Sequence, residues 1–159
     1  MSIEHQAAKW FHMSDEVWER HANPWSVWTR YSGLPLLIMA IWSRVWLDWW
    51  SLLPIFLVIA WIWINPRLFN KPQSTDNWAS QAVLGERILL THSDIPSHHL
   101  AAIKILKLIM TVGTFIIIYG LLVLHIWLTL LGTAIVILGK SWFLDRMVWL
   151  YQDLNNHLK

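Results

Sequence analysis

The stretch whose reading decides the fold is ILKLIMTVGTFIIIYGLLVLHIWLTLLGTAIVILG, Ile105 to Gly139, which carries a single charge, Lys107, in 35 residues. A helix rises about 1.5 Å per residue, so one helix of this length would be ~52 Å long, against ~30 Å of hydrocarbon in a bilayer. Two helices, Ser97–Val123 and Trp127–Asp153, joined by a tight turn near His125-Ile126, fit that thickness. A single strongly tilted helix is the alternative. Gly113 and Gly120 are seven apart and share a helix face, as do Gly132 and Gly139. Both pairs are symmetric about Ile126, so Gly113 is expected to face Gly139 and Gly120 to face Gly132, letting the two helices approach closely. The same rule puts Lys107 level with Asp145. Each lies six residues from its seam glycine, about 240° round the helix, so the two side chains should diverge. Arg146 is then better placed to face the seam, and Asp145 to meet another segment.

Upstream, two further spans are expected. Residues 24–43 follow Asn23, a suitable cap, and begin with Pro24, which suits a first helical position. Trp25, Trp28 and Tyr31 fit an interfacial belt, Arg30 is near enough to that end to snorkel, and Pro35 predicts a kink. Residues 45–65 hold Trp46, Trp49 and Trp50 at one end and Trp61 and Trp63 at the other. Asn65-Pro66 reads as a stop, because a proline disfavours helix in the residue before it. Arg44 and Asp48, four apart, mark the turn and are placed to pair.

Composition agrees with this reading. Of 159 residues, 56% are hydrophobic and 14% charged; there are 14 Trp and no Cys, and mean hydropathy is +0.42. Such a chain is neither disordered nor a disulfide scaffold, and it has no Cys-ligated metal site. A net charge of +2, with bases scattered among acids, gives no nucleic-acid footprint. The first 23 residues lack the apolar core of a cleavable signal.

Sidedness follows from Lys and Arg. Four spans (24–43, 45–65, 103–123 and 127–150) put eleven bases on the side of both termini and only Arg44 on the other, so both termini are expected in the cytoplasm of a prokaryotic inner (plasma) membrane. Two segments complete the plan. Residues 2–22, with Ile3, Ala7, Trp10, Phe11, Val17 and Trp18 at helical spacing, suggest an amphipathic helix lying on the membrane. The cytoplasmic connection, 66–102, is partly helical, with a helix expected over Asp76–Leu90. The expected fold is an all-α integral membrane four-helix bundle made of two helical hairpins, one membrane domain over 1–159, with an N-terminal interfacial helix.

Few motifs carry chemistry. Ala134 to Ser141 matches a phosphate-loop pattern, but Ile, Val, Ile and Leu inside a span cannot offer free backbone N–H groups. Lys140 reads as an interfacial snorkeler. Eight His residues show neither the i, i+4 zinc-protease spacing nor a Glu-x-x-His element, so no metal site and no cofactor is expected; His98-His99 reads as interfacial. Polar residues cluster instead on the cytoplasmic side: Glu19, Arg20, His21, Asn23 and Arg30; Arg67; Asp76, Asn77 and Trp78; Glu86 and Arg87. Caps and ion pairs that lock the loop explain such clusters. The functional reading is a pocket between the first two spans and the loop helix, in which Arg30, Arg67 and Arg87 bind an anionic group such as a lipid phosphate.

Three runs carry a likeness. Arg20-His21-Ala22-Asn23-Pro24-Trp25-Ser26, Asn65-Pro66-Arg67-Leu68-Phe69 and Trp78-Ala79-Ser80 with Gly85-Glu86-Arg87 resemble a family of small prokaryotic integral membrane proteins of unknown function. The resemblance spans roughly residues 15–90. It implies a multi-pass membrane protein and supplies no activity.

Three functions are therefore weighed. The first is a non-enzymatic membrane module that binds an anionic lipid headgroup or a partner, singly or as a homo-oligomer. The second is an interfacial enzyme with His21 as base and Glu19 or Glu86 as its orienter. The third is an oligomeric small-solute transporter or channel using Thr111, Thr114, Tyr119, Thr129 and Thr133.

Overall fold

The structure, a computed structural model, describes residues 15–91 and 95–157. Most of the expected surface helix over 2–22 lies outside them. The described residues are all-helical, without a strand. Helix α1 is Asp15–His21, α2 Pro24–Arg30, α3 Gly33–Trp42 and α4 Arg44–Leu47. After a 3-10 turn at Asp48–Ser51 come α5 Leu52–Leu68, α6 Trp78–Thr91, α7 Ser97–Leu122 and α8 Ile126–His157. Three stretches are long and apolar enough to cross a membrane: Pro24–Leu68, Ser97–Leu122 and Ile126–Asn155.

The first of these doubles back. Asp48 takes a positive φ of 46°, and α3 packs against α5. A Cβ on Gly33 would sit 3.1 Å from Ile62. At the other end of this hairpin, Asn65 is fully buried. Its Oδ1 accepts from Ser26 Oγ at 3.2 Å and its Nδ2 donates to Thr29 Oγ1 at 2.8 Å. Those bonds hold Asn65 helical, so Pro66 does not end α5 where the sequence rule puts the stop; the helix runs on to Leu68. Nor does Pro35 kink its helix. It is the third residue of α3, where an N–H would have no intrahelical acceptor, and the break falls earlier, at Tyr31-Ser32. Arg44 does not pair with Asp48. Its guanidinium donates to the Leu121 carbonyl, where a cation meets the negative end of α7.

Helices α7 and α8 form the second hairpin. His125 N–H bonds the Gly120 carbonyl at 2.8 Å while Leu124 takes a positive φ of 54°; this is the 6→1 bond of a Schellman cap. The four seam glycines are buried against the partner helix, but glycine does not face glycine at the expected levels. Gly120 meets Thr129, Gly132 meets Ile117 and the Gly113 carbonyl, and Gly139 meets Met110. Thr129, Ile117 and Met110 each lie three residues from the expected glycine, because the turn closes around Leu124 and not around Ile126. Asp145 meets another segment, as expected, accepting from Trp78 Nε1 at 3.1 Å. Arg146 lies over the Trp149 ring at 4.6 Å.

Helix α6 lies across the C-terminal half of α8. A Cβ at Gly85 would overlap the Met147 carbonyl, so only glycine permits this crossing. The core under α6 is Ala82, Ile103, Leu106, Phe143, Leu144, Met147, Val148 and Leu150. Elsewhere the usual pattern inverts: Trp49 is 84% and Trp50 78% exposed, while Asn65, Ser80 and His99 have no exposure at all.

Candidate functional site

Four helices meet around a cavity of about 150 Å³. Helices α2 and α3 contribute Val27, Arg30, Tyr31 and Leu34; α6 contributes Val83 and Glu86; α8 contributes Val136, Ile137, Lys140 and Leu144. The local sequence explains why they converge. Asn23 caps α2, its Oδ1 accepting from Trp25 N–H at 2.9 Å, and Pro24 opens the helix. Asn77 caps α6 through Ser80 N–H at 2.9 Å. Trp78 stacks on Trp28 with centroids 5.6 Å apart, and Ser80 Oγ donates to the Ala22 carbonyl at 2.6 Å. These contacts hold α6 against α2. Tyr31 and Ser141 hydroxyls, 3.1 Å apart, tie α2 to α8.

The electrostatics centre on Arg30. Its Nη1 donates to His21 Nε2 at 2.5 Å, while its Nε and Nη2 are sealed from solvent and meet no acceptor. Burial, reinforced by the Arg30 and Lys140 charges, pushes the His21 imidazole well below its ordinary value. His21 is therefore a neutral acceptor, and its Nδ1 is buried without a partner. Across the cavity Lys140 Nζ and Glu86 Oε1 form an ion pair at 2.5 Å. Two cations and one carboxylate thus line the cavity, leaving one positive charge uncompensated.

The other expected site residues lie apart from it. Glu19 pairs with Lys71 at the surface; the Lys71 hydrogen bond and charge lower the Glu19 carboxyl, and Glu19 raises Lys71 in turn. Arg20 pairs with Glu16 at 2.7 Å. Arg67 donates to the Trp63 carbonyl at 2.6 Å and lies over its ring. Asp76 is an exposed turn residue whose N–H bonds Ser74 Oγ. Asn23, Asn77 and Trp78 cap and pack. Arg87 is not among the lining side chains. So Arg30 and Glu86 reach the cavity, while Arg67 and Arg87 do not. Lys140 and Tyr31 are lining groups that the sequence reading left out of the site. Lys140 Nζ sits 4.8 Å from the Phe143 centroid.

The geometry also bears on the rival functions. His21 has an arginine, not a carboxylate, on its accepting nitrogen, so neither Glu19 nor Glu86 orients it. Thr111, Thr114, Thr129 and Thr133 each bond the carbonyl four residues back, at 2.8, 2.8, 3.1 and 2.6 Å, so these hydroxyls are spent inside their own helices. A second polar group lies at the far end of α8: His98, His99 and Asp153, whose ligand atoms are all within 4.8 Å of one another.

Fold and site together define a class: an all-helical chain with membrane-length apolar helices and a charged cavity at one end. Within that class the chain belongs to the family of unknown function DUF6653, whose model matches residues 2–158. No curated protein and no solved structure matches it.

Proposed function

We propose that the protein is a multi-pass membrane protein of two helical hairpins, crossing the bilayer four times with both termini in the cytoplasm. Its cavity binds a singly charged anionic amphiphile. The inverted surface, with exposed Trp, Phe and Leu around buried Asn and Ser, supports the bilayer as its solvent. The observation that carries the binding reading is Arg30: a guanidinium whose Nε and Nη2 are sealed and meet no acceptor, in a cavity whose charges sum to one excess positive. A buried donor left unmade is costly, and a phosphate or carboxylate oxygen satisfies it. Apart from Tyr31, the remaining wall is Val27, Leu34, Val83, Val136, Ile137 and Leu144, which suits hydrocarbon, so the ligand carries an apolar chain behind its anionic head.

Native mass spectrometry of the protein extracted in an uncharged detergent tests this. Wild type should retain an anionic lipid or a fatty acid, and mass tells the two sources apart. A charged hydrogen bond is worth roughly 1.5–3 kcal/mol, so Arg30→Gln should lower retention about ten- to hundredfold. Arg67→Ala, outside the cavity, should leave it unchanged. Equal retention by wild type and Arg30→Gln would refute the assignment.

A further inference from the structure

The α7–α8 hairpin is closed at one end by the chain itself, at Val123–His125. At its open end, 54 residues apart in sequence, a second polar group joins the same two helices. His99, in the first turn of α7, is fully buried. Its Nε2 lies 2.9 Å from Asp153 Oδ2 near the end of α8. His98, mostly exposed, has its Nε2 3.9 Å from the same oxygen, and the two imidazole rings are 4.3 Å apart. The His99 Nδ1 is sealed and meets no partner.

We propose that His98, His99 and Asp153 form a binding site for one divalent transition-metal ion, of which Zn²⁺ is the representative. Two imidazole nitrogens and one carboxylate oxygen are the donor set that borderline ions of this class take, and hard ions such as Mg²⁺ do not. Ligands about 2.0–2.2 Å from a tetrahedral ion stand roughly 3.4 Å from each other. The observed spacings of 2.9 and 3.9 Å bracket that value. The adjustment needed falls on His98 and Asp153, whose side chains are 64% and 47% exposed and free to turn, while His99 is held by its surroundings. The ion clamps the open end of the hairpin, doing there what the covalent turn does at the other end. Three protein ligands also leave a fourth position for water or a partner group. This site is separate from the Arg30 cavity, and neither proposal depends on the other.

The test uses the full chain in detergent, freed of any affinity tag and stripped of metal. Zn²⁺ titrated by calorimetry should bind at one ion per chain, and Zn²⁺ should raise the thermal midpoint read from intrinsic Trp fluorescence. Co²⁺ in its place should give visible d–d bands of a low-symmetry, four-coordinate site. His98→Ala and Asp153→Asn remove exposed ligands without opening the core, so both should fold. Each should weaken Zn²⁺ binding at least tenfold and abolish the thermal shift. Wild type that binds no Zn²⁺ overturns the proposal. So does binding that His98→Ala and Asp153→Asn leave unchanged.

Discussion

The two hairpins of this chain solve the same packing problem by opposite means. The α7–α8 pair consists of two unbroken helices pressed together along glycines, with backbone against backbone: Gly132 approaches the Gly113 carbonyl and the Ile117 N–H closely. The Pro24–Leu68 hairpin is assembled from short pieces, α2 to α5, broken at Tyr31-Ser32 and Asp48, and its ends are locked by a buried Ser26–Asn65–Thr29 hydrogen-bond chain. Where apolar side chains gain little by leaving lipid for one another, close packing and hydrogen bonds are what remains to hold helices together. One hairpin spends the first and the other the second. The broken, polar one carries Arg30 and the cavity, because interrupted helices leave side chains and backbone groups to be satisfied by a neighbour or a ligand.

The largest effect should come from breaking the glycine seam. At Gly132 a Cβ would already stand 2.8 Å from the Gly113 carbonyl oxygen and from the Ile117 nitrogen. Those atoms are backbone and cannot turn away. Gly132→Val should therefore force α7 and α8 apart along their length. Overpacking typically costs 1–3 kcal/mol, and more where the neighbour cannot yield. We expect a loss of at least about 3 kcal/mol, seen as a large drop in the thermal midpoint or as loss of monodisperse protein in detergent, with Gly132→Ala intermediate. An unchanged midpoint would show that the seam is not what holds this hairpin.

The polar lock should be less costly to break. Asn65→Ala leaves the buried Ser26 hydroxyl without its acceptor and Thr29 without a donor. A buried group left unsatisfied costs about 1–3 kcal/mol. The thermal midpoint should fall by less than in Gly132→Val, and because α2 is anchored there, the Arg30 cavity should loosen with it. Equal losses in the two variants would erase the distinction between the hairpins.

The same contrast governs what could be read from sequence. Long uncharged runs, their division into helices, the Asn23 cap and the seam role of the four glycines all follow from composition, cap chemistry and helical period, which are local. The glycine register did not, because it depends on which residue turns the corner, and Leu124 gives no turn signal. Asn65-Pro66 and Pro35 were read by local rules that a tertiary contact overrides in one case and a helix start in the other. In the site, Arg30 and Glu86 were legible as interfacial charges. That Arg67 and Arg87 stay outside, and that Lys140 joins Glu86, required knowing how α6 crosses α8, which the close approach at Gly85 and the Trp78–Asp145 bond set. The His98–His99–Asp153 group joins the two ends of one hairpin, 54 residues apart in sequence. Ligand spacing along one helix, the rule applied to His, is blind to such pairs.

The smallest expected effect separates the two turns. Asp48 and Leu124 both take positive φ. At Leu124 the β-carbon crowds the following carbonyl, at a cost of roughly 1–2 kcal/mol; Asp48, with φ 46° and ψ −123°, lies outside the left-handed helical region that a short polar side chain tolerates. Leu124 is 44% exposed and so gives up little packing if replaced. Glycine is the residue a Schellman cap prefers at this position, although its greater freedom in the unfolded chain takes back part of the gain. Leu124→Gly should therefore stabilise the α7–α8 hairpin by about 1 kcal/mol or somewhat less, read as a modest rise in the thermal midpoint. A fall in the Leu124→Gly midpoint would mean that the leucine side chain holds the turn through packing, and the seam hairpin would then owe its register to a side chain as the polar hairpin does.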